Sequence, residues 1–303
     1  MSAPTYNSLK PSRNGLTTLD QVEEMAHKSA YDLLAELNSR ATNNKWLQVC
    51  TSESLTAGMI MSTLVDIPWG GYLKYGAFAV YDTDAKRVFN KVSVDDVYTH
   101  RCAKEMAVGI LKNSNATLAI AVTGNAMPLN EHADMLGEVF IGVAGYKTDA
   151  SGKTTIIYQT TSINACDNEI VDFQQTCDDW YQTIKRNSKY NPRDRTALVS
   201  REIRNYTTYR ALNYCLEFVK TNNPDVPDFV LERKKQNNTT NANMNHTTIP
   251  ENKFNDPLEE VCVSKLCHDV VSPKRSNTAT YENLIARSPK QNAGRRKTRK
   301  SRR

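Results

Sequence analysis

The chain has 303 residues, 39% of them hydrophobic, and a net charge of +6, which suits one sizeable core with an appendage. It holds no run of roughly eighteen apolar residues, so no membrane span is expected, and residues 1–14 lack the apolar stretch of a secretory signal. The positive charge lies beyond Thr221 while the body before it is near neutral, so any case for nucleic-acid binding rests on the tail alone.

Residues 19–37 carry Leu19, Val22, Ala26, Ala30, Leu33 and Leu37 at steps of three or four, the spacing of an amphipathic helix. Thr18 is placed to cap it, with Asp20 and Glu23 in the favourable first turn. A short apolar run at 46–51 reads as a buried strand. Residues 54–65 return to helical character and stop at Pro68 and the Gly70-Gly71 pair. Strands follow at 75–81, 117–122, 139–144 and 154–159, with a helix at 99–112 and a last helix at 196–219. Strands alternating with helices predict an α/β domain with a mostly covered sheet.

Two segments break this pattern. Residues 164–193 are polar and contain Trp180 and Tyr181; they read as an insertion. From 222 onward the chain is rich in Asn, Thr and Pro, as in QNNTTNANMNH at 236–246. Such a composition buries too little apolar surface to offset chain entropy. The expected organisation is a flexible N-terminus at 1–17, a folded domain at 18–221 and a disordered basic tail at 222–303. The seven cysteines follow no regular spacing, which fits a reducing, cytoplasmic setting better than a disulfide framework. Cys262-x4-Cys267-His268 has an unusual spacing for zinc, so no metal site is read there. The last nine residues, Arg295 to Arg303, hold seven basic side chains. They read either as a solubilising tail or as a contact for nucleic acid or a nuclear-import receptor.

The segment TSESLTAG, Thr51 to Gly58, places a serine where a strand turns into a helix. There a hydroxyl projects outward, and helical N–H groups are available to an oxyanion. The logic is that of a nucleophile elbow without its G-x-S-x-G pattern. On its own, Ser54 reads more simply as a helix cap. A serine nucleophile needs a base, and a lysine of lowered pKa serves in Ser–Lys hydrolases. Tyr81-Asp-Thr-Asp-Ala-Lys86 offers a lysine, with Tyr81 to hold it or relay a proton. Taken alone, those residues also fit a solvated strand end.

Together these segments resemble the CinA C-terminal, or nicotinamide-nucleotide amidohydrolase, family. The family motif A-E-S-C-T-G-G is matched by Ser52-Glu53-Ser54-Leu55-Thr56-Ala57-Gly58. The motif G-G-x-x-x-Y-S-N-E-A-K is matched from Gly76 through Tyr81 and Asp84-Ala85-Lys86, at the same distance from the serine. Met106-Ala107-Val108-Gly109 follows, then Ala121-Val122-Thr123-Gly124-Asn125-Ala126-Met127-Pro128 against A-V-T-G-I-A-G-P. Gly137-Glu138-Val139 and Ile203-Arg204-Asn205-Tyr206-Thr207 complete the series.

The resemblance implies a three-layer α/β/α sandwich and deamidation of nicotinamide mononucleotide with release of ammonia. In that picture Ser54 is the nucleophile, Lys86 the general base and Tyr81 its partner. Thr56, Gly58, Gly76, Thr123, Gly124 and Arg204 are carried over as oxyanion or substrate contacts. No cofactor and no metal is implied; a nucleotide substrate and a homo-oligomer are. The loop at 125–135 departs from the family, with Asn125 and Met127 for Ile and Gly, and Glu131 and Asp134 where glycines would let backbone approach a phosphate. That departure keeps a second reading open, a catalytically silent module used for binding or regulation.

Overall fold

The computed structural model of the chain describes residues 18–42, 44–127, 135–166, 195–241 and 258–263. Helix α1 (Thr18–Ser39) leads into strand β1 (Val49–Glu53), helix α2 (Met59–Asp66) and strand β2 (Lys74–Ala79). Helices α3 (Thr83–Asn90) and α4 (His100–Lys112) precede β3 (Leu118–Gly124), β4 (Glu138–Thr148) and β5 (Thr154–Asn164). Helices α5 (Arg195–Asn222) and α6 (Asp228–Asn241) and the short strand β6 (Glu260–Cys262) complete the described chain.

The sheet order is β2-β1-β3-β4-β5-β6. β1 lies parallel to both β2 and β3, β3 to β5 form an antiparallel meander, and β6 adds parallel to β5. The core strands β1 and β3 are buried along their length, and β3 accordingly reads as a near-continuous apolar run. On one face Val49, Leu118, Ile120, Val122, Ile141 and Val143 pack beneath α1, α2 and α5. On the other, the small residues Ala119 and Ala121 sit with Cys50 under α4. Close approach there also requires Gly142, where an added Cβ would lie 2.4 Å from the Ala103 carbonyl. The result is an α/β/α arrangement, as the family resemblance implies.

Several boundaries differ from the sequence reading. The helix expected from residue 54 starts at Met59, because residues 54–58 form a turn in which Ala57 and Gly58 take positive φ. Lys86 stands within α3 rather than at a strand end. That helix is short and mostly polar, with only Lys86 and Asn90 buried, so no apolar period announced it. Its start is marked by Asp82, whose carboxylate accepts the Asp84 N–H at 2.7 Å, an ordinary N-cap. Cys262 is disulfide-bonded, while Cys50, Cys102, Cys166 and Cys215 are free thiols.

The larger correction concerns the tail. Disorder from 222 does not hold for residues 222–241 and 258–263. The Asp225 N–H donates to the Tyr146 carbonyl, and its carboxylate accepts from the Thr148 N–H at 2.8 Å. Val230 is fully buried on the α4 side of the sheet, and Phe229 meets Tyr146 edge-on. Glu260 takes Lys104 at 2.5 Å and Lys112 at 2.6 Å, both on α4. A few apolar residues placed in register with a groove suffice where average composition suggested none. The N-terminus 1–17, the segment 167–194 and the basic run Arg295 to Arg303 lie outside the described residues. Among the described residues, no helix is long and apolar enough to cross a membrane.

Candidate active site

In open sheets with parallel strands, ligands bind beyond the carboxyl ends, at the point where the chain leaves in opposite directions from neighbouring strands. Here that point lies between β1 and β3. From β1 the chain passes through α2 to β2 on one side, and from β2 through α3 and α4 to β3 on the other. Ser54 is the first residue past β1. Its N–H donates to the Val122 carbonyl on β3 at 3.0 Å, while the Glu53 carbonyl accepts the Val80 N–H at 2.8 Å. Ser54 is thus held between the ends of β2 and β3. Strand residues alternate between faces, so Ser54 follows Cys50 and Ser52 toward the α3/α4 layer.

Glu53 builds the turn that presents it. The side chain is fully buried, and each carboxylate oxygen is saturated. Oε1 accepts from the Thr51 hydroxyl at 2.7 Å and the Met61 N–H at 3.0 Å. Oε2 accepts from the Thr56 hydroxyl at 2.8 Å, the Gly58 N–H at 2.8 Å and the Ile60 N–H at 3.1 Å. A negative group at a helix N-terminus is favourable for the same reason an anion is. The carboxylate therefore caps α2 and pins residues 54–58 between strand and helix. The sequence reading gave Glu53 no role; its place at the end of a strand, one turn ahead of a helix, was the available signal.

This occupancy changes where an oxyanion would be held. The Thr56 hydroxyl and the Gly58 N–H, both expected to face substrate, are spent on Glu53. Among the described residues, the backbone N–H groups of Leu55 and Thr56 have no hydrogen-bond acceptor. They directly follow Ser54, the position from which a nucleophile elbow supplies its oxyanion donor.

Lys86 is 1% exposed. Its Nζ donates to the main-chain carbonyl of Tyr81 at 2.7 Å, so the ammonium is drawn back along α3 to the end of β2. Burial lowers its pKa from the usual lysine value, opposed by the nearby Cys102 thiol and Asp82 carboxylate. Cys102, on α4, is itself pushed up to about 12 by burial. A neutral amine keeps its bond to a carbonyl, because it still has N–H to donate, and retains a lone pair for a proton. The Ser54 hydroxyl has no hydrogen-bond partner among the described residues.

The remaining expected residues divide. Tyr81 adjoins the site through its carbonyl, while its side chain is 71% exposed. Thr123 sits at the end of β3, fully buried, and its hydroxyl donates to the Val97 carbonyl at 2.9 Å. Gly124 is needed for close packing of β3 on β4: a Cβ there would lie 2.4 Å from the Glu138 carbonyl. Gly76 pairs with Cys50, back from Ser54 by about 13 Å of strand, and is not brought to the site. Arg204 lies on α5, on the opposite face of the sheet from Lys86, its Nε buried without a partner among the described residues. His100, which the sequence reading passed over, opens α4 edge-on to Phe140, the residue paired with Thr123; burial lowers its pKa. Among the described residues no three His, Cys, Asp or Glu side chains are grouped to hold a metal.

Residues 31–168 match the family model described as the CinA C-terminal domain. These residues form a CinA C-terminal domain. A CinA-like protein of Chlorobium limicola is 34% identical over 127 residues, covering 39% of this chain and 29% of that protein. A CinA-like protein of Pseudothermotoga lettingae is 33% identical over 118 residues, covering 37% of this chain and 29% of its own length. The chain thus spans under a third of these relatives. It spans more of a Mycoplasma pneumoniae protein, 74%, at 28% identity over 116 residues. Among solved structures, a competence/damage inducible protein from Agrobacterium tumefaciens aligns over 68% of this chain and 98% of its own, with 23% identity and a TM-score of 0.40. The domain as matched runs from inside α1 to just beyond β5, so it contains Ser54, Tyr81 and Lys86 but not α5 with Arg204.

Proposed function

We propose that this CinA domain is a serine amidohydrolase that releases ammonia from the carboxamide of a pyridine nucleotide, nicotinamide mononucleotide being the first to test. The observation that carries the reading is a buried Lys86 whose Nζ is held at the Tyr81 carbonyl just past the end of β2, while Ser54, the first residue past the neighbouring β1, has a hydroxyl without a partner among the described residues. The Ser54 oxygen attacks the carboxamide carbon and passes its proton to the Lys86 amine. The carbonyl oxygen becomes an oxyanion facing the Leu55 and Thr56 N–H groups. Collapse breaks the C–N bond, the Lys86 ammonium returns a proton, and ammonia leaves. Water, deprotonated by the same amine, resolves the ester to a carboxylate and restores Ser54.

A second reading, a silent binding module, is favoured by one observation: Lys86 Nζ is bonded to the Tyr81 carbonyl and makes no bond to Ser54. Single-turnover ammonia release from nicotinamide mononucleotide separates the two. Ser54→Ala and Lys86→Ala are each expected to abolish turnover, the double variant adding nothing, because the two act as a unit. Lys86→Arg is not expected to rescue, since a guanidinium does not give up its proton near neutral pH. Retained turnover in Ser54→Ala removes the covalent mechanism.

A further inference from the structure

Strand β1 carries a second hydroxyl beside that of Ser54. Ser52 is fully buried, and its Oγ has no hydrogen-bond partner among the described residues. A buried polar group left unpaired is destabilising, and native structures hold few of them. The family motif has alanine at this position, A-E-S against Ser52-Glu53-Ser54, so the fold does not need the hydroxyl.

Its place in the sheet sets it beside Lys86. Ser52 precedes Ser54 by two residues, and strand alternation puts both on the α3/α4 side. In register it stands between Phe78 on β2 and Ala121 on β3. Phe78 packs on Phe89 of α3 at 6.1 Å between ring centroids, and Phe89 follows Lys86 by three residues, on neighbouring positions of the helix surface. Ala121 belongs to the buried cluster that contains Cys102 of α4, and the Cys102 thiol lies within electrostatic range of Lys86. Ser52 and Lys86 therefore share one buried layer and its neighbours on both sides.

We infer that Ser52 is a positioning residue for Lys86, its hydroxyl accepting one N–H of the amine so that the nitrogen faces Ser54. The inference rests on the amidohydrolase reading and adds to it a residue that the family motif lacks. An ammonium has three N–H donors, and the Tyr81 carbonyl is the acceptor that Lys86 Nζ has among the described residues. Once the amine has taken the Ser54 proton, a second N–H points back at the Ser54 oxygen. The third needs an acceptor in a layer closed to water, and Ser52 supplies it. The count also works before the transfer. A neutral amine with its two N–H groups on Tyr81 and Ser52 has its lone pair left for the Ser54 proton. In the structure Nζ rests on Tyr81, and rotation about the last bonds of the side chain brings it onto Ser52. The titratable groups facing the amine are Cys102 from α4 and Asp82 at the start of α3. The sheet faces it with hydroxyls, of which that of Thr123 donates to the Val97 carbonyl and that of Ser52 is unpaired.

The test reads the lysine itself and so does not depend on turnover. Lysines isotope-labelled at Cε are titrated by NMR in the full chain, with Lys86→Met identifying the Lys86 signal. Ser52→Ala should lower the Lys86 pKa by about one unit, because a hydrogen bond to the charged form is lost. It should not lower the thermal midpoint, since alanine removes only an unpaired hydroxyl. Ser52→Thr keeps the hydroxyl and should leave the pKa at the parent value. In turnover, Ser52→Ala should reduce kcat on its high-pH plateau by about tenfold with KM unchanged, and move the rise of the profile down by the same unit. A Lys86 pKa that is unmoved or raised in Ser52→Ala overturns the proposal. So does a pKa lowered equally in Ser52→Thr. A parent chain inactive on nicotinamide mononucleotide removes the amidohydrolase reading instead, and the titration still decides the contact.

Discussion

Replacing Glu53 by glutamine changes one atom and should cost a large part of the domain's stability. The amide nitrogen will turn toward the less demanding side, the place of Oε1, where it meets the Thr51 hydroxyl and the Met61 N–H. The hydroxyl can rotate to accept; the backbone N–H cannot, and a buried donor left unpaired costs about 1–3 kcal/mol. The three bonds at Oε2 survive but lose their charge assistance, and the N-terminus of α2 loses a favourable negative charge worth about 0.5–1 kcal/mol. The sum is about 3 kcal/mol, which in a domain of this size lowers the thermal midpoint by about 6–12 °C. Glu53→Asp keeps the charge but falls short of Ile60 and Met61, and should lose a comparable amount. Thermal and urea unfolding followed by circular dichroism measure both. A Glu53→Gln midpoint within about 2 °C of the parent (half the shift expected from 1 kcal/mol) would mean that the five donors are satisfied some other way, and the account of the turn would be wrong.

A catalytic Lys86 must be neutral, so kcat/KM should rise with pH through a pKa held by burial below the ordinary lysine value of 10.5, and a flat profile from pH 7 to 10 would remove Lys86 as the base. Folding lowers that pKa, so between the folded and unfolded values the native chain binds fewer protons and stability climbs with pH; Lys86→Met should abolish the climb, read as the urea midpoint against pH. Ending the chain at residue 221 removes buried Val230, the Phe229 contact and the Glu260 ion pairs. Each large apolar side chain is worth about 1.5–3 kcal/mol, and the midpoint should fall by about 10 °C or more; an unchanged midpoint contradicts the packing described for α6 and β6. Ala57 holds φ +50, a conformation costing a side-chain-bearing residue about 1–2 kcal/mol, so Ala57→Gly should raise stability by up to about 1 kcal/mol despite the looser unfolded chain. A loss instead would show that the methyl group packs favourably.

The sequence made the sheet legible because β3 and β4 are long buried apolar runs, while short apolar pairs, Val49-Cys50 and Ile156-Ile157, mark β1 and β5. It made α1 legible through a clean helical period. It failed where burial is selective. Helix α3 buries only Lys86 and Asn90, so its pattern looks solvated, and Lys86 was assigned to a strand end. Helix α6 and strand β6 are anchored by single residues whose partners, Tyr146, Lys104 and Lys112, lie far away in the chain. Local composition carries no trace of such partners. The turn at 54–58 was legible as a turn, but the direction in which its donors point was not, since that depends on where the Glu53 carboxylate ends up.

That last point bears on how the site would work. A helix N-terminus is usually invoked as a source of positive potential for an oxyanion, and the motif Ser54 to Gly58 invites that reading. With a buried carboxylate bound to the N–H groups of Gly58, Ile60 and Met61, the end of α2 is already neutralised and offers little field to a second anion. What is left for an oxyanion is the pair of amides at Leu55 and Thr56 and the charge on Lys86. In the proposed mechanism that charge would arise when a neutral Lys86 took the Ser54 proton, so the stabilisation would grow along the reaction coordinate, which is the condition for lowering a barrier and not merely tightening binding. The proposed roles then separate: Glu53 gives the turn its shape, and Lys86 would give the chemistry its charge. Loss of Glu53 should appear first as lost stability and loss of Lys86 as lost rate.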